Sequence, residues 1–157
     1  MTLVNVYLSL VVPLIFLIMA IEGEGRGVVA SFAFGMSSAM VVYLVTGYID
    51  EALIALDYQL TLLIPALEEA VKTLPVLFFF LRSRSKGKYF IVRYALAVGI
   101  GFSIIENYLY LSIAGSTSGN ATALVVMRSL TASLLHGSTT AMAGYCYQAM
   151  RAQGAFS

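Results

Sequence analysis

The stretch Leu67-Glu68-Glu69-Ala70-Val71-Lys72 places two adjacent carboxylates and a lysine near the middle of an apolar segment, residues 58–81. That segment is about as long as a helix that crosses a lipid bilayer. Ionisable side chains are costly at that depth, so they are usually paired or functional. On a helix, Lys72 follows Glu69 by three residues and Glu68 by four, so its ammonium can reach either carboxylate. The stretch therefore predicts a charged cluster inside a membrane helix.

The composition is that of an integral membrane protein. Apolar residues make up 60% of the 157 residues and charged residues 11%, whereas about a quarter of a soluble domain is charged. The net charge of +1 gives no basis for a nucleic-acid partner. Cys146 is the only cysteine, which excludes an internal disulfide and a CxxC metal site. We expect one transmembrane helical domain, residues 1–157, that lies in the lipid bilayer of the cell membrane as a multi-pass protein.

Five apolar segments are long enough to span a bilayer. They comprise residues 2–21, 28–49, 58–81, 89–113 and 122–150. The first lacks a basic start and a clear cleavage site, so we interpret it as a retained helix rather than a signal peptide. The predicted fold class is all-α, a polytopic membrane helix bundle of about five transmembrane helices.

One basic cluster predicts the orientation of the bundle. It consists of Arg82, Arg84, Lys86, Lys88 and Arg93. Because loops rich in Lys and Arg stay in the cytoplasm, the third segment is predicted to run inward and the fourth outward. Five spans then place the N-terminus outside and the C-terminus in the cytoplasm.

Two further segments carry polar groups at a similar depth. Glu106 and Asn107 lie in the fourth segment, and Arg128 and His136 lie in the fifth. At 1.5 Å per residue, Glu106 is about 20 Å from Arg93 along a helix, and the glutamate pair and the histidine are at comparable distances from their segment ends. Short connections favour packing between these three segments. We therefore expect the polar groups to converge.

Such a set suits the hydrolysis of a peptide bond inside a membrane, which needs an activated water. A metal held by carboxylates and imidazole lowers the pKa of its bound water. Alternatively, a carboxylate and a histidine act as general base and general acid. The side-chain amide of Asn107 can donate to a developing oxyanion, and Lys72 or Arg128 can keep a neighbouring glutamate ionised.

Other interpretations of the same residues stay open. Glu69–Lys72 and Glu106–Arg128 can be structural ion pairs, with His136 a satisfied interior histidine. Buried Glu, His and Arg side chains also build proton relays in transporters. A non-catalytic membrane protein that keeps the fold is a third possibility.

The ordered motifs resemble one known family. Glu68-Glu69-x-x-Lys72, Gly101-Phe102-x-x-x-Glu106-Asn107-x-x-Tyr110, and Arg128 with His136 and Gly144 are similar to the PrsW family of intramembrane proteases. The resemblance covers about residues 65–147. The related group of CAAX prenyl endopeptidases and bacteriocin-processing proteins has an arginine where this chain has Thr73, and a histidine where it has Glu106-Asn107, so the PrsW branch fits better.

The resemblance implies a membrane-embedded endopeptidase with a catalytic core at about residues 58–150. Its substrate would be a transmembrane protein; in PrsW itself this is an anti-sigma factor. By matching position, Glu68, Glu69, Glu106 and His136 are the implied catalytic or metal-binding set. Zinc on Glu69, Glu106 and His136 and a metal-free, glutamate-activated water are both compatible with it.

The predicted orientation can be tested with single-cysteine variants in a background without Cys146. We expect Ser118→Cys to react with an impermeant maleimide in intact cells, and Ser85→Cys to react only after permeabilisation, since the basic loop is predicted to be cytoplasmic. A mass shift on a gel measures the labelling. Reaction of Ser85→Cys in intact cells would reverse the orientation.

Overall fold

The computed structural model describes residues 3–20, 25–48, 59–82, 89–114 and 121–154. Within these ranges the chain forms helices and turns and no strand, which confirms the all-α prediction. The helices are α1 (Leu3–Ala20), α2 (Gly25–Thr46), α3 (Ile64–Arg82), α4 (Phe90–Ala114) and α5 (Ala121–Ala152), and a π-helical turn, Gln59–Leu63, leads into α3. Arg84, Lys86, Lys88 and both labelling positions lie outside the described residues, so the orientation stays a prediction.

Two helices in these ranges are long and apolar enough to cross a membrane. They are α2, with 22 residues, and the part of α4 from Phe90 to Ser112, with 23 residues. The apolar part of α1, Val4–Met19, is shorter. Helix α3 carries several charged side chains and α5 many hydroxyl side chains, which lowers the hydropathy of both. The number of five spans therefore stays a prediction.

Helix α4 lies at the centre of the bundle and is in contact with each of the other four helices. Its residues Ala95, Ala97, Val98 and Ile100 have at most 1% of their surface exposed. On the side of α2, a Cβ at Gly101 would collide with the carbonyl oxygen of α2's Phe32. Small residues at such crossings let membrane helices approach closely.

Helices α3 and α4 are antiparallel. The Nζ of Lys72 lies 4.8 Å from the ring centroid of Phe102. Further along α3, the ring of Phe79 meets the ring of Tyr94 at 5.3 Å between centroids. Residue numbers therefore rise on one helix as they fall on the other, and the charged stretch of α3 lies beside the middle of α4.

Helices α4 and α5 cross most closely at Gly99. A Cβ there would collide with the carbonyl oxygen of His136 and lie 2.8 Å from the Cα of Gly137. One turn further along α4, Ser103 forms a 3.1 Å hydrogen bond with Ser133, which precedes His136 on α5. This pair of helices is therefore also antiparallel, and the crossing brings His136 against the middle of α4.

Arg151 joins α5 to the end of α3. Its Nη2 donates to the carbonyl oxygen of Phe80 at 2.6 Å, and its guanidinium carbon lies 4.0 Å from the centroid of the Phe80 ring. Phe80 belongs to the last turn of α3, where the backbone carbonyls have no partner within the helix. The contact therefore caps α3 and holds α5 alongside it.

Gly99→Ala is expected to destabilise the bundle, because the added methyl group collides with backbone atoms of α5. Unlike a side chain, these atoms cannot rotate out of the way. We expect the free energy of unfolding to fall by about 1–3 kcal/mol, as in overpacked cores. Gly25→Ala is the matched control, since a Cβ at Gly25 meets nothing within 4 Å. Thermal unfolding in detergent compares the two variants, and equal stability would contradict the close crossing.

Candidate active site

The side chain of Lys72 is fully buried at the centre of the site. Its Nζ lies 2.6 Å from Oε1 of Glu69 and 2.7 Å from Nδ1 of His136. The ring of Phe102 packs against Lys72 and His136, with its centroid 4.8 Å from Nζ and 5.1 Å from the imidazole centroid. Since an ammonium group only donates hydrogen bonds, Nδ1 of His136 is an acceptor.

His136 links α5 to α4 through Glu106. Its Nε2 lies 2.7 Å from Oε2 of Glu106. Because Nδ1 accepts from Lys72, the proton of the neutral imidazole is on Nε2, which donates to the carboxylate. The hydroxyl of Thr140 donates to the backbone carbonyl of His136 at 2.7 Å. Contacts on both ring nitrogens therefore define the tautomer and the orientation of the imidazole.

Arg128 holds the second oxygen of Glu106. Its Nη2 donates to Oε1 at 2.7 Å, and its guanidinium carbon lies 3.8 Å from the centroid of the Tyr110 ring, a cation–π contact. The side chains of Arg128 and Glu106 are 27% and 28% exposed. This pair is therefore partly accessible, as is the 47% exposed side chain of Glu69, whereas Lys72 between them is sealed.

Five side chains from three helices thus form one continuous chain of hydrogen bonds, here called the charged chain. Its order is Glu69, Lys72, His136, Glu106 and Arg128. The sequence predicts that these residues converge, and the structure brings them together. Because each carboxylate is bonded to a cation, the charges compensate one another.

Thr139 is a member of the site that the sequence reasoning missed. Its hydroxyl lies 3.4 Å from Oε1 of Glu69, and it follows His136 by three residues on α5. Residues three apart on a helix share a face. That spacing is a weak signal in the sequence, because serine and threonine are common along α5.

Glu68 is separate from the charged chain and lines a cavity of about 350 Å³ together with Glu106 and Arg128. The rest of the wall is mostly apolar and comes from α2, α3 and α4. Within the described part of the chain, Glu68 forms no hydrogen bond or ion pair. Its carboxylate is therefore available to a molecule that enters the cavity.

Asn107 does not line this cavity. It follows Glu106 directly, and successive residues on a helix point about 100° apart at 3.6 residues per turn. The side chain is 1% exposed, and its amide nitrogen and oxygen have no hydrogen-bond partner among the described residues. The register between Ser103 and Ser133 places it one turn on, opposite Ser129, whose buried hydroxyl is also unpaired. The predicted oxyanion donor is therefore placed between α4 and α5, away from the cavity.

A family model described as PrsW family intramembrane metalloprotease matches residues 24–156. The match covers well over half of the 157 residues and includes Glu68 and the whole charged chain. No curated protein and no solved structure matches.

Arg128→Lys is expected to lower the free energy of unfolding by about 1 kcal/mol, since lysine keeps the charge beside Glu106 but loses the flat stacking on Tyr110. Tyr110→Leu removes the same contact from the other partner. The double variant is therefore expected to lose less than the sum of the two single losses. Denaturant unfolding in detergent measures the cycle, with Tyr108→Leu, an exposed neighbour on α4, as the control. Additive losses would mean that the ring does not hold Arg128.

Proposed function

Because the chain belongs to the PrsW family of intramembrane metalloproteases, we propose that it is a membrane-embedded endopeptidase whose substrate is another membrane protein. The position of Glu68 is the observation that carries the proposal. Its carboxylate lines a cavity beside Glu106 and Arg128 and is unpaired among the described residues. A glutamate that is exposed to a cavity and free of partners is available as a base.

In the proposed reaction, Glu68 is the general base for a water molecule in the cavity. It takes one proton from the water as the water oxygen bonds to the carbonyl carbon of the scissile peptide. The same proton then passes from Glu68 to the leaving nitrogen as the carbon–nitrogen bond breaks. The products are a carboxylic acid and an amine, and Glu68 returns to its carboxylate form.

The Glu106–Arg128 end of the charged chain serves the transition state. Negative charge develops on the peptide oxygen, and the guanidinium of Arg128 is a cation that lines the cavity. Glu106 holds that guanidinium through a 2.7 Å hydrogen bond, and His136 holds Glu106 from the other side. Lys72 has no exposed surface, so it acts by positioning Glu69 and His136.

The family description implies a metal ion, but the side chains as arranged do not fit one. The zinc set Glu69, Glu106 and His136 is not assembled, because the Lys72 ammonium lies between Glu69 and the imidazole. No group of three or more His, Cys, Asp or Glu side chains in the described ranges is placed to hold a metal ion. No step of the proposed reaction therefore passes through a metal.

The cavity suits an apolar segment of polypeptide. Its wall includes Ala39 and Val42 from α2, Ile64 from α3, and Phe102 and Leu109 from α4. Apolar walls with a few placed polar groups are typical of ligand sites. We extend the proposal to a transmembrane substrate of the anti-sigma-factor kind, held in the same bilayer.

Glu68→Gln is expected to fold normally and to lose cleavage by roughly 10²–10⁴-fold, the usual contribution of a general base. The folded state is preserved because Glu68 has no partner to lose among the described residues. Quantitative mass spectrometry of membrane proteins, in cells in which the variant replaces the native protein, is expected to reveal a substrate that accumulates uncut.

Glu69→Gln is the matched control, one residue away with the same change in charge. It weakens the bond to Lys72, so we expect the free energy of unfolding to fall by about 2 kcal/mol, typical of a charged hydrogen bond. Cleavage per folded molecule is expected to stay measurable. If Glu68→Gln cleaves normally while folded, Glu68 is not the general base. If the native protein itself leaves every membrane protein uncut, the relay and structural interpretations are favoured over the protease.

A further inference from the structure

We propose that the Lys72 ammonium is the resident cation of this site and takes, between Glu69 and His136, the place that a divalent metal would occupy. The inference concerns metal binding and follows from the geometry of the charged chain. It rests on the proposed function only in its consequence, that the protease would work without a transition metal.

The first observation is the pair of atoms that converge on Lys72. Oε1 of Glu69 and Nδ1 of His136 lie 2.6 Å and 2.7 Å from one Nζ. A carboxylate oxygen and an imidazole nitrogen are ordinary zinc ligands, with bonds of about 2.0–2.2 Å. Here the two ligand atoms are spaced for an ammonium group instead. Lys72 is fully buried, so its ammonium fills this position with no room for a water between it and the two ligand atoms.

The second observation is that the other ligand atoms are already engaged. Nε2 of His136 is bonded to Oε2 of Glu106, and Arg128 holds the other oxygen of that carboxylate, both at 2.7 Å. A metal on Nε2 would have to break the bond between His136 and Glu106. Since ligand histidines are neutral and usually use their second nitrogen to donate to a carboxylate or carbonyl, the acceptor role of Nδ1 toward Lys72 is also unsuited to a metal site.

The third observation is the charge balance of the charged chain. Lys72 and Arg128 contribute two positive charges, and Glu69 and Glu106 contribute two negative charges, with the imidazole neutral. A divalent ion added beside Lys72 would leave positive charge uncompensated within the charged chain, next to a fully buried ammonium group, which is costly. The lysine and the metal therefore exclude one another.

The test measures metal content in the purified full chain. Wild-type protein is incubated with zinc sulfate in detergent, desalted, and analysed by mass spectrometry for zinc; cobalt chloride, which gives a visible absorption when bound, provides a second readout. We expect zinc far below one ion per chain and no cobalt band. One zinc ion per chain in the wild type, lost in His136→Ala, would overturn the proposal.

A second variant tests the position itself. Lys72→His removes the cation and adds an imidazole between Glu69 and His136, so we expect it to gain one zinc ion per chain and to become more stable to heat when zinc is added. Lys72→Met, which removes the cation without adding a ligand, is the control. We expect it to bind less zinc and to gain less thermal stability when zinc is added. A folded Lys72→His protein that takes up no zinc would contradict the assigned position. If neither variant folds, the zinc content of the wild-type protein still tests whether Lys72 excludes a metal from this site.

The lysine assignment and the proposed protease function can be contradicted independently, because metal content tests the first and cleavage tests the second. A wild-type protein that binds no zinc and cleaves its substrate in the presence of a chelator supports both proposals. A zinc-free protein without cleavage would contradict the protease and leave the lysine assignment standing. A zinc-bound protein that cleaves would contradict only the lysine assignment.

Discussion

The compensation of one fully buried ammonium group is the constraint on which the rest of this structure depends. Lys72 has no exposed surface, and an unpaired charge in such a place is strongly unfavourable. Glu69 comes from the same helix, but His136 must come from α5, 64 residues later in the chain. His136 in turn is bonded to Glu106 of α4. The partners of one lysine therefore hold three helices in a single relative position.

The backbone makes this arrangement possible. An imidazole on α5 reaches α4 because Gly99 has no side chain at the crossing, where any Cβ would meet the carbonyl oxygen of His136. A hydrogen bond between Ser103 and Ser133 sets the register one turn away. In a membrane, where the hydrophobic effect between helices is weak, such close contacts and interhelical hydrogen bonds carry association. Gly99 is thus a condition for the charged chain.

Two neighbouring glutamates have different surroundings. Glu69 is bonded to Lys72 and belongs to the charged chain, whereas Glu68 lines the cavity and has no bonded partner in the described ranges. Successive residues on a helix point about 100° apart, so one carboxylate can complete a charge pair while the next faces the cavity. The same rotation separates Glu106, which lines the cavity, from Asn107, which lies inside the bundle. In the proposed reaction, the charged chain positions Arg128 and Glu68 is the free base.

The sequence by itself determined the all-α class, the helices near their observed bounds, the family, and the convergence of Glu69, Lys72, Glu106, Arg128 and His136. It could do so because ionisable groups in apolar segments are rare and must find one another at equal depth. Tertiary structure alone decided which glutamate is free, where Asn107 points, that Thr139 joins the site, and that a lysine lies between the expected metal ligands. These features depend on the rotation of each helix about its own axis, which is set by contacts such as Gly99 against His136 and leaves no periodic trace in the sequence.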